Sequence, residues 1–283
     1  MEDPPDPNPD PQETASHQPK SFCALFYADL KSPAFTLKEP NGNTIDLQES
    51  FAPSPTLATL LIRAILIIYT IVSIVISIVE DDERWIWIGY LTHWSSIFAL
   101  VYLICGLACT IKPSLLSQAD GKETPNLFVR FLWSMFSVAT VFSLCVTFLY
   151  WGLLHRAGNA VRFDIVSMHG ILAIVLLIDG LVLATIPVRL RQMLYAMLTA
   201  AIYLVWQVIH TFTGIGVRKE NNVGGPLYDQ LDWKNNPMFA AILSVVTIFV
   251  MMPVTFLLVW ILSMYSPPFK FDGSNRKVME SKR

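Results

Sequence analysis

Charge is what this 283-residue chain has least of. Asp, Glu, Lys and Arg make up 15% of it, where a soluble domain carries about 25%. A basic excess is missing too: 20 Lys and Arg stand against 22 Asp and Glu, for a net charge of −2. That balance argues against a nucleic-acid partner, whose phosphates call for a basic face. There are only four cysteines, and Cys105, Cys109 and Cys145 lie inside apolar runs, so they read as reduced packing residues rather than a disulfide framework. No signal peptide is recognisable, because the first 20 residues hold six prolines among Asp, Asn and Gln where a basic start and an apolar stretch would be needed. The first membrane helix is therefore expected to act as the targeting signal. No Asn-x-Ser/Thr sequon occurs in the loops assigned below to the outer side.

Apolar residues are abundant: they form 53% of the chain, and its mean hydropathy is +0.49. They collect into six runs, roughly Leu57–Val79, Ile86–Ile111, Leu127–Leu154, Phe163–Val188, Met193–Phe212 and Pro237–Met264. About 20 apolar residues cross a hydrocarbon layer about 30 Å thick at about 1.5 Å per residue. No strand-like alternation appears, so the expected fold is all-α, a polytopic bundle of six transmembrane helices. The two halves show no sequence repeat, which weakens a transporter reading built on inverted repeats. The expected organisation is an N-terminal segment over 1–55, disordered at least to residue 20, a membrane domain over 56–264 and a short basic tail over 265–283. Residues 21–55 are mixed, with Phe22, Phe26, Tyr27 and Phe35 among polar neighbours, a weak pattern compatible with the membrane surface. Six spans put both termini on one side. Leaving out Arg63 within the first span, that side carries 13 Lys and Arg and the other 6, so both termini are expected in the cytosol. Trp85, Trp87 and Tyr90 at the second span and Tyr150 and Trp151 at the third supply the aromatic belt.

The histidines are placed unevenly. His17 lies in the proline-rich segment, while His93, His155, His169 and His210 fall near the ends of spans two to five, all on the outer side in this topology. Thr92 follows Trp85 by seven residues and His169 follows Phe163 by six, which puts both roughly 9–11 Å below the outer boundary. A threonine hydroxyl becomes a nucleophile when a base takes its proton, and histidine is the usual base. Ser96 shares a helical face with Thr92, and Ser95 stands on a neighbouring one. The competing reading is structural, since hydroxyls in membrane helices commonly bond to backbone and histidines bridge helices. Asp179 lies ten residues past His169, about 15 Å deeper. An intramembrane carboxylate is costly and marks either function or helix packing, but at that depth it cannot orient the imidazole. Asp164, five residues before His169, is the nearer candidate orienter. Four histidines on one side also leave open a single metal site.

Several motifs come in a telling order. They are Tyr90-Leu91-Thr92-His93-Trp94, then Met168-His169-Gly170 followed by Leu177-Ile178-Asp179, then Pro187-Val188-Arg189, Tyr195 and Tyr203, and finally the loop from Gly225 to Trp233. Across about residues 57–264 this set resembles the rolling stone family of multi-pass membrane proteins. The founding member of that family is associated with myoblast fusion, so the resemblance implies a membrane protein acting in cell–cell fusion. The family is in turn distantly similar to the androgen-induced membrane hydrolases, which cleave fatty acid esters of hydroxy fatty acids with a threonine and a histidine inside the membrane. Carried over, those positions are Thr92 and His169, with Ser96, Asp164, Asp179, His93 and His210 as possible supporting residues and Ser96, Ser167 or His93 as possible oxyanion donors. The implied partners are membrane lipids and a lipid ester, and no cofactor or stoichiometric metal is expected. The fusion reading and the histidine metal site stand as alternatives. If the charge count governs topology, tags at Met1 and Arg283 will both be reached by antibody only from the cytosolic side of a selectively permeabilised cell; either tag reached from the opposite side overturns it.

Overall fold

The computed structural model describes residues 21–38, 44–52, 57–80, 86–118, 124–156, 158, 161–215 and 226–265. The proline-rich residues 1–20 with His17, the acidic residues 81–83, Trp85, Gly225 and the basic residues 266–283 lie outside these. Two short helices come first, α1 (Phe22–Lys31) and α2 (Leu47–Phe51). Ser21 caps α1 at the Ala24 amide, and Asp46 caps α2 at the Gln48 and Glu49 amides. Six long helices follow: α3 (Leu57–Glu80), α4 (Leu91–Ile111), α5 (Leu127–Leu154), α6 (Phe163–Leu183), α7 (Leu190–Thr213) and α8 (Pro237–Tyr265). All six are long and apolar enough to cross a membrane. No named strand occurs among the described residues, only isolated bridges at Lys38–Thr44 and Gln118–Pro125.

Two expected boundaries move. The second span begins at Leu91 rather than Ile86, because a single tight turn over Trp87–Gly89 and an extended Tyr90 precede it. The fourth ends at Leu183 rather than Val188, because the chain turns extended at Ala184 ahead of Pro187, a residue that disfavours helix just before it. Asn126 opens α5 by accepting from the Val129 amide at 2.9 Å. Gly214 closes α7 with a left-handed φ of 68°, its amide donating to the His210 carbonyl at 3.0 Å.

The hub is α5. Buried residues fill 72% of its most apolar stretch, against 28% in α3, α7 and α8, and it packs on α4, α6, α7 and α8. Gly180 lets α6 come close to it, since a Cβ there would overlap the Phe136 ring. The other faces of α3, α7 and α8 present Leu61, Ile65, Ile68, Leu198, Ile202, Phe249 and Val254 outward, as a lipid-facing surface would. In α3 the usual pattern is inverted, because every buried residue is polar: Thr59, Arg63, Thr70, Ser73 and Ser77. Their spacing of three, four and seven keeps them on one helical stripe.

That stripe makes the interhelical bonds. Arg63, left out of the charge count as a lone cation in the first span, is 1% exposed and ion-paired with Asp179 on α6, Nε to Oδ1 at 2.9 Å. Asp179 also accepts from the Tyr102 hydroxyl of α4 at 2.6 Å. The rest of the guanidinium is spent on the Gly106 carbonyl and Thr110 hydroxyl, both at 2.6 Å, and on the Phe51 carbonyl of α2 at 3.0 Å. Farther along, Ser167 of α6 meets the Tyr69 and Ser73 hydroxyls at 2.6 Å each. Asp179 therefore has a packing role fixed by named partners.

Residues 21–38 and 44–52 dock on the bundle end nearest Arg63, called here the terminal end, and so form part of its packing. Asp29 is fully buried; it pairs with Arg189 at 3.1 Å and accepts from the Leu190 amide and the Trp260 indole at 2.8 and 2.9 Å. Phe22 and Phe26 pack edge-on to Trp260, and Phe51 is 1% exposed against Trp133. Removing one member of a buried pair strands the other charge, at a cost of about 3–5 kcal/mol. Asp179→Ala is expected to lose stability on that scale in equilibrium unfolding from detergent micelles, and Arg63→Met with Asp179→Leu to lose clearly less. A single variant as stable as wild type would mean that the pair does not hold α3 to α6.

Candidate functional site

The opposite end of the bundle carries the histidines. Here α6 widens into a π-turn over Ser167–Ile171, and His169 leaves helical geometry at φ −108°, ψ 16°. Such bulges recur at functional sites because they free a carbonyl and redirect a side chain. The His169 carbonyl takes the Trp151 indole N–H at 2.8 Å, and the imidazole stacks on Tyr150 with ring centres 3.8 Å apart. The Nδ1 atom lies 2.9 Å from the Ile165 carbonyl, and Nε2 lies 3.2 Å from the Thr92 hydroxyl. A carbonyl only accepts, so Nδ1 is the donor. In the neutral ring the lone pair then sits on Nε2 and faces the Thr92 O–H, the orientation a general base needs.

Thr92 is buried in the first turn of α4, where the positive end of the helix dipole favours a nearby anion. The Leu91 amide donates to the Tyr228 hydroxyl at 3.1 Å. That phenol faces the hydroxyls of Thr92 and Tyr203, and burial pushes its pKa up to about 12. The short turn before α4 is held from α7, where the Tyr203 hydroxyl, Trp206 indole and Gln207 amide all donate to the Gly89 carbonyl at 3.1 to 3.3 Å. Thr92, His169 and Tyr228 line a cavity of about 90 Å³ whose walls also include Leu149, Leu153, Leu204, Ile248 and Met252. Among the described residues, no Lys, Arg, Asp or Glu lines it.

The remaining candidates are placed elsewhere. Asp164 does not bond to His169; its carboxylate is taken by Arg162 at 2.8 and 3.1 Å, and the Ile165 carbonyl holds the imidazole instead. Ser96 donates to the His93 carbonyl and Ser95 to the Thr92 carbonyl, each the local bond expected of a helical serine. Ser167 is spent on Tyr69 and Ser73, and His93 stacks on Trp87 and bonds to its carbonyl. Ser96, Ser167 and His93 are thus engaged in local or interhelical bonds and do not line the cavity, whereas the Tyr228 side chain does. His210 bonds to the Ile215 carbonyl. The four histidines do not form the metal site left open above: among the described residues no group of three or more His, Cys, Asp or Glu could hold an ion. Asp179 belongs to the Arg63 cluster, at the other end. Gln207 had no sequence signal, whereas Tyr203 and Tyr228 stood among the ordered motifs without being singled out as site residues.

The model of the family described as Protein rolling stone matches residues 55–274. The chain belongs to the rolling stone family. The match takes in all six long helices and every residue lining the cavity, and this rolling stone protein is an integral, multi-pass membrane protein. No curated protein and no solved structure matches the chain. In this rolling stone protein the raised phenol of Tyr228 should keep its proton well above pH 10. Ultraviolet titrations of wild type and Tyr228→Phe are expected to superimpose through about pH 10.5 and to part only near 12; a tyrosinate difference at lower pH would show the phenol to be open to water.

Proposed function

We propose that this protein is an intramembrane hydrolase of neutral lipid esters, with Thr92 as nucleophile and His169 as general base. The observation that carries the reading is the 3.2 Å approach of Thr92 Oγ1 to His169 Nε2 while Nδ1 is held by Ile165. The Thr92 oxygen attacks the ester carbonyl as its proton passes to Nε2. Negative charge on the former carbonyl oxygen is met by the Tyr228 O–H and the first turn of α4. As the intermediate collapses, Nε2 returns the proton to the leaving alcohol and an acyl-threonine remains. Water, deprotonated by the same imidazole, attacks the acyl carbonyl; carboxylic acid leaves and Thr92 recovers its proton. No cofactor is needed. The apolar walls of the cavity suit an acyl chain.

The orientation is part of the proposal. With both termini in the cytosol, as the 13 to 6 distribution of Lys and Arg supports, the dyad draws its substrate from the leaflet away from the cytosol. The membrane lipids are then both solvent and source of substrate.

Thr92→Ala and His169→Ala are each expected to remove nearly all lipid-ester hydrolysis, with the double variant little worse, because members of such a unit are grossly non-additive. Thr92→Ser keeps the hydroxyl and is expected to retain part of the activity. A fluorophosphonate should label wild type and leave Thr92→Ala unlabelled, with membrane insertion the same for both. Wild-type rates in Thr92→Ala, or a label mapped to another residue, would overturn the assignment.

A further inference from the structure

The cavity contains one polar group whose chemistry is unfinished. Gln207, on α7, is 1% exposed and lines the cavity. Its amide nitrogen is fully engaged, donating to the Tyr203 hydroxyl at 2.6 Å and the Gly89 carbonyl at 3.3 Å. The Gly89 carbonyl can only accept, so the nitrogen must face it and the amide oxygen is left on the other side. That oxygen, Oε1, is buried and has no hydrogen-bond partner among the described residues. A buried amide acceptor without a donor is costly and uncommon, and in a ligand site it marks where a donor arrives.

Its position relative to the dyad is defined by a chain of contacts. Gln207 bonds to Tyr203, Tyr203 faces Tyr228, and Tyr228 faces Thr92. The unpaired acceptor belongs to a residue of the same cavity wall and is separated from the proposed nucleophile by two hydroxyl groups. Among the described residues no Lys, Arg, Asp or Glu lines the cavity, and this points to the second property of the ligand. A carboxylate, phosphate or quaternary ammonium would enter without a counter-charge, at a large desolvation cost.

We infer that the site takes an uncharged lipid ester that carries a free hydroxyl a few bonds from its ester carbonyl, and that Gln207 Oε1 accepts from that hydroxyl. The inference rests on the hydrolase reading for the ester, and on Gln207 alone for the hydroxyl. A monoacylglycerol has this chemistry; a simple alkyl ester lacks the donor, and an ester bearing a free acid adds an unmatched charge. Sites built to pair a substrate hydroxyl discriminate strongly against analogues without it.

The test uses the purified full chain in detergent micelles with three probes: 1-monooleoylglycerol, methyl oleate and oleyl hemisuccinate. Affinity is read from the ligand-dependent shift in unfolding midpoint, and cleavage from the products released. Monooleoylglycerol is expected to bind wild type about tenfold more tightly than either of the others, the worth of about one good hydrogen bond. In Gln207→Leu that preference over methyl oleate should collapse to within about twofold, whatever the variant does to the affinity of both probes together. Equal binding of monooleoylglycerol and methyl oleate to wild type, a preference that survives Gln207→Leu, or tighter binding of the hemisuccinate overturns the inference. If Gln207→Leu does not fold, the wild-type comparison decides alone. An intact preference with no ester cleaved would leave the hydroxyl site standing and remove the hydrolase reading instead.

Discussion

A guanidinium and a carboxylate buried together between α3 and α6 set the terms for everything else in this bundle. Lipid chains are as apolar as leucine, so apolar burial does little to choose one helix arrangement over another inside a membrane. Arg63 does choose. It demands Asp179 from α6, the Gly106 carbonyl and Thr110 from α4, and the Phe51 carbonyl from α2. Four elements are thereby brought to one point. The hydroxyls of Ser73 and Tyr69 continue the same stripe toward Ser167, two residues before His169. The inverted polarity of α3 thus extends from a structural ion pair at one end to the backbone that carries the imidazole at the other.

The two ends use polar groups in opposite ways. At the terminal end Arg63, Asp179, Asp29 and Gln192 bond to surrounding protein, and residues 21–38 and 44–52 pack against them. A π-turn occurs in α6 around Asp179, over Ile178–Leu183. Near the cavity, α5, α6 and α8 each contain a π-turn, over Tyr150–Leu154, Ser167–Ile171 and Thr247–Met251. All three supply residues to the cavity wall. Widened turns separate neighbouring helices locally and leave space that regular packing would fill. A rigid base below and an open apolar slot above is an arrangement suited to holding Thr92 and His169 in register.

The six spans were legible because run length and bilayer thickness leave few alternatives. The meeting of Thr92 with His169 was expected from a depth count that does not itself hold: α4 begins only at Leu91, so Thr92 stands in its first turn while His169 is seven residues into α6, and the two meet because of how the helices are offset. Rotation was what the sequence concealed. Asp179 and Arg63 lie 116 residues apart, and nothing in the run around Arg63 says which helix its side chain faces. Asp29 and Phe51 look like ordinary members of a mixed segment until Arg189 and Trp133 are placed beside them. Asp164 was the natural orienter by proximity, but Arg162, two residues away, claims it. The partner of His169 is instead a backbone carbonyl, which no side-chain pattern can advertise. Tyr228 and Gln207 reach the cavity from a loop and a distant helix, and only the fold joins them.

The separation between Arg63 and Asp179 has a consequence for biosynthesis. Of the six long helices the one containing Arg63 is synthesised first, and with a mean hydropathy of 2.6 it can enter the bilayer despite the cation. Its counter-ion is made 116 residues later, roughly 6–23 s behind at ordinary elongation rates. For that interval the charge must stay near the headgroups by snorkelling, which its place six residues from the start of the helix permits. Only once α6 has been made can Asp179 pair with the guanidinium. The first long helix made is therefore among the last to be locked, and a chain truncated before α6 would expose in α3 a charged, unpaired segment that quality-control machinery in the membrane can recognise.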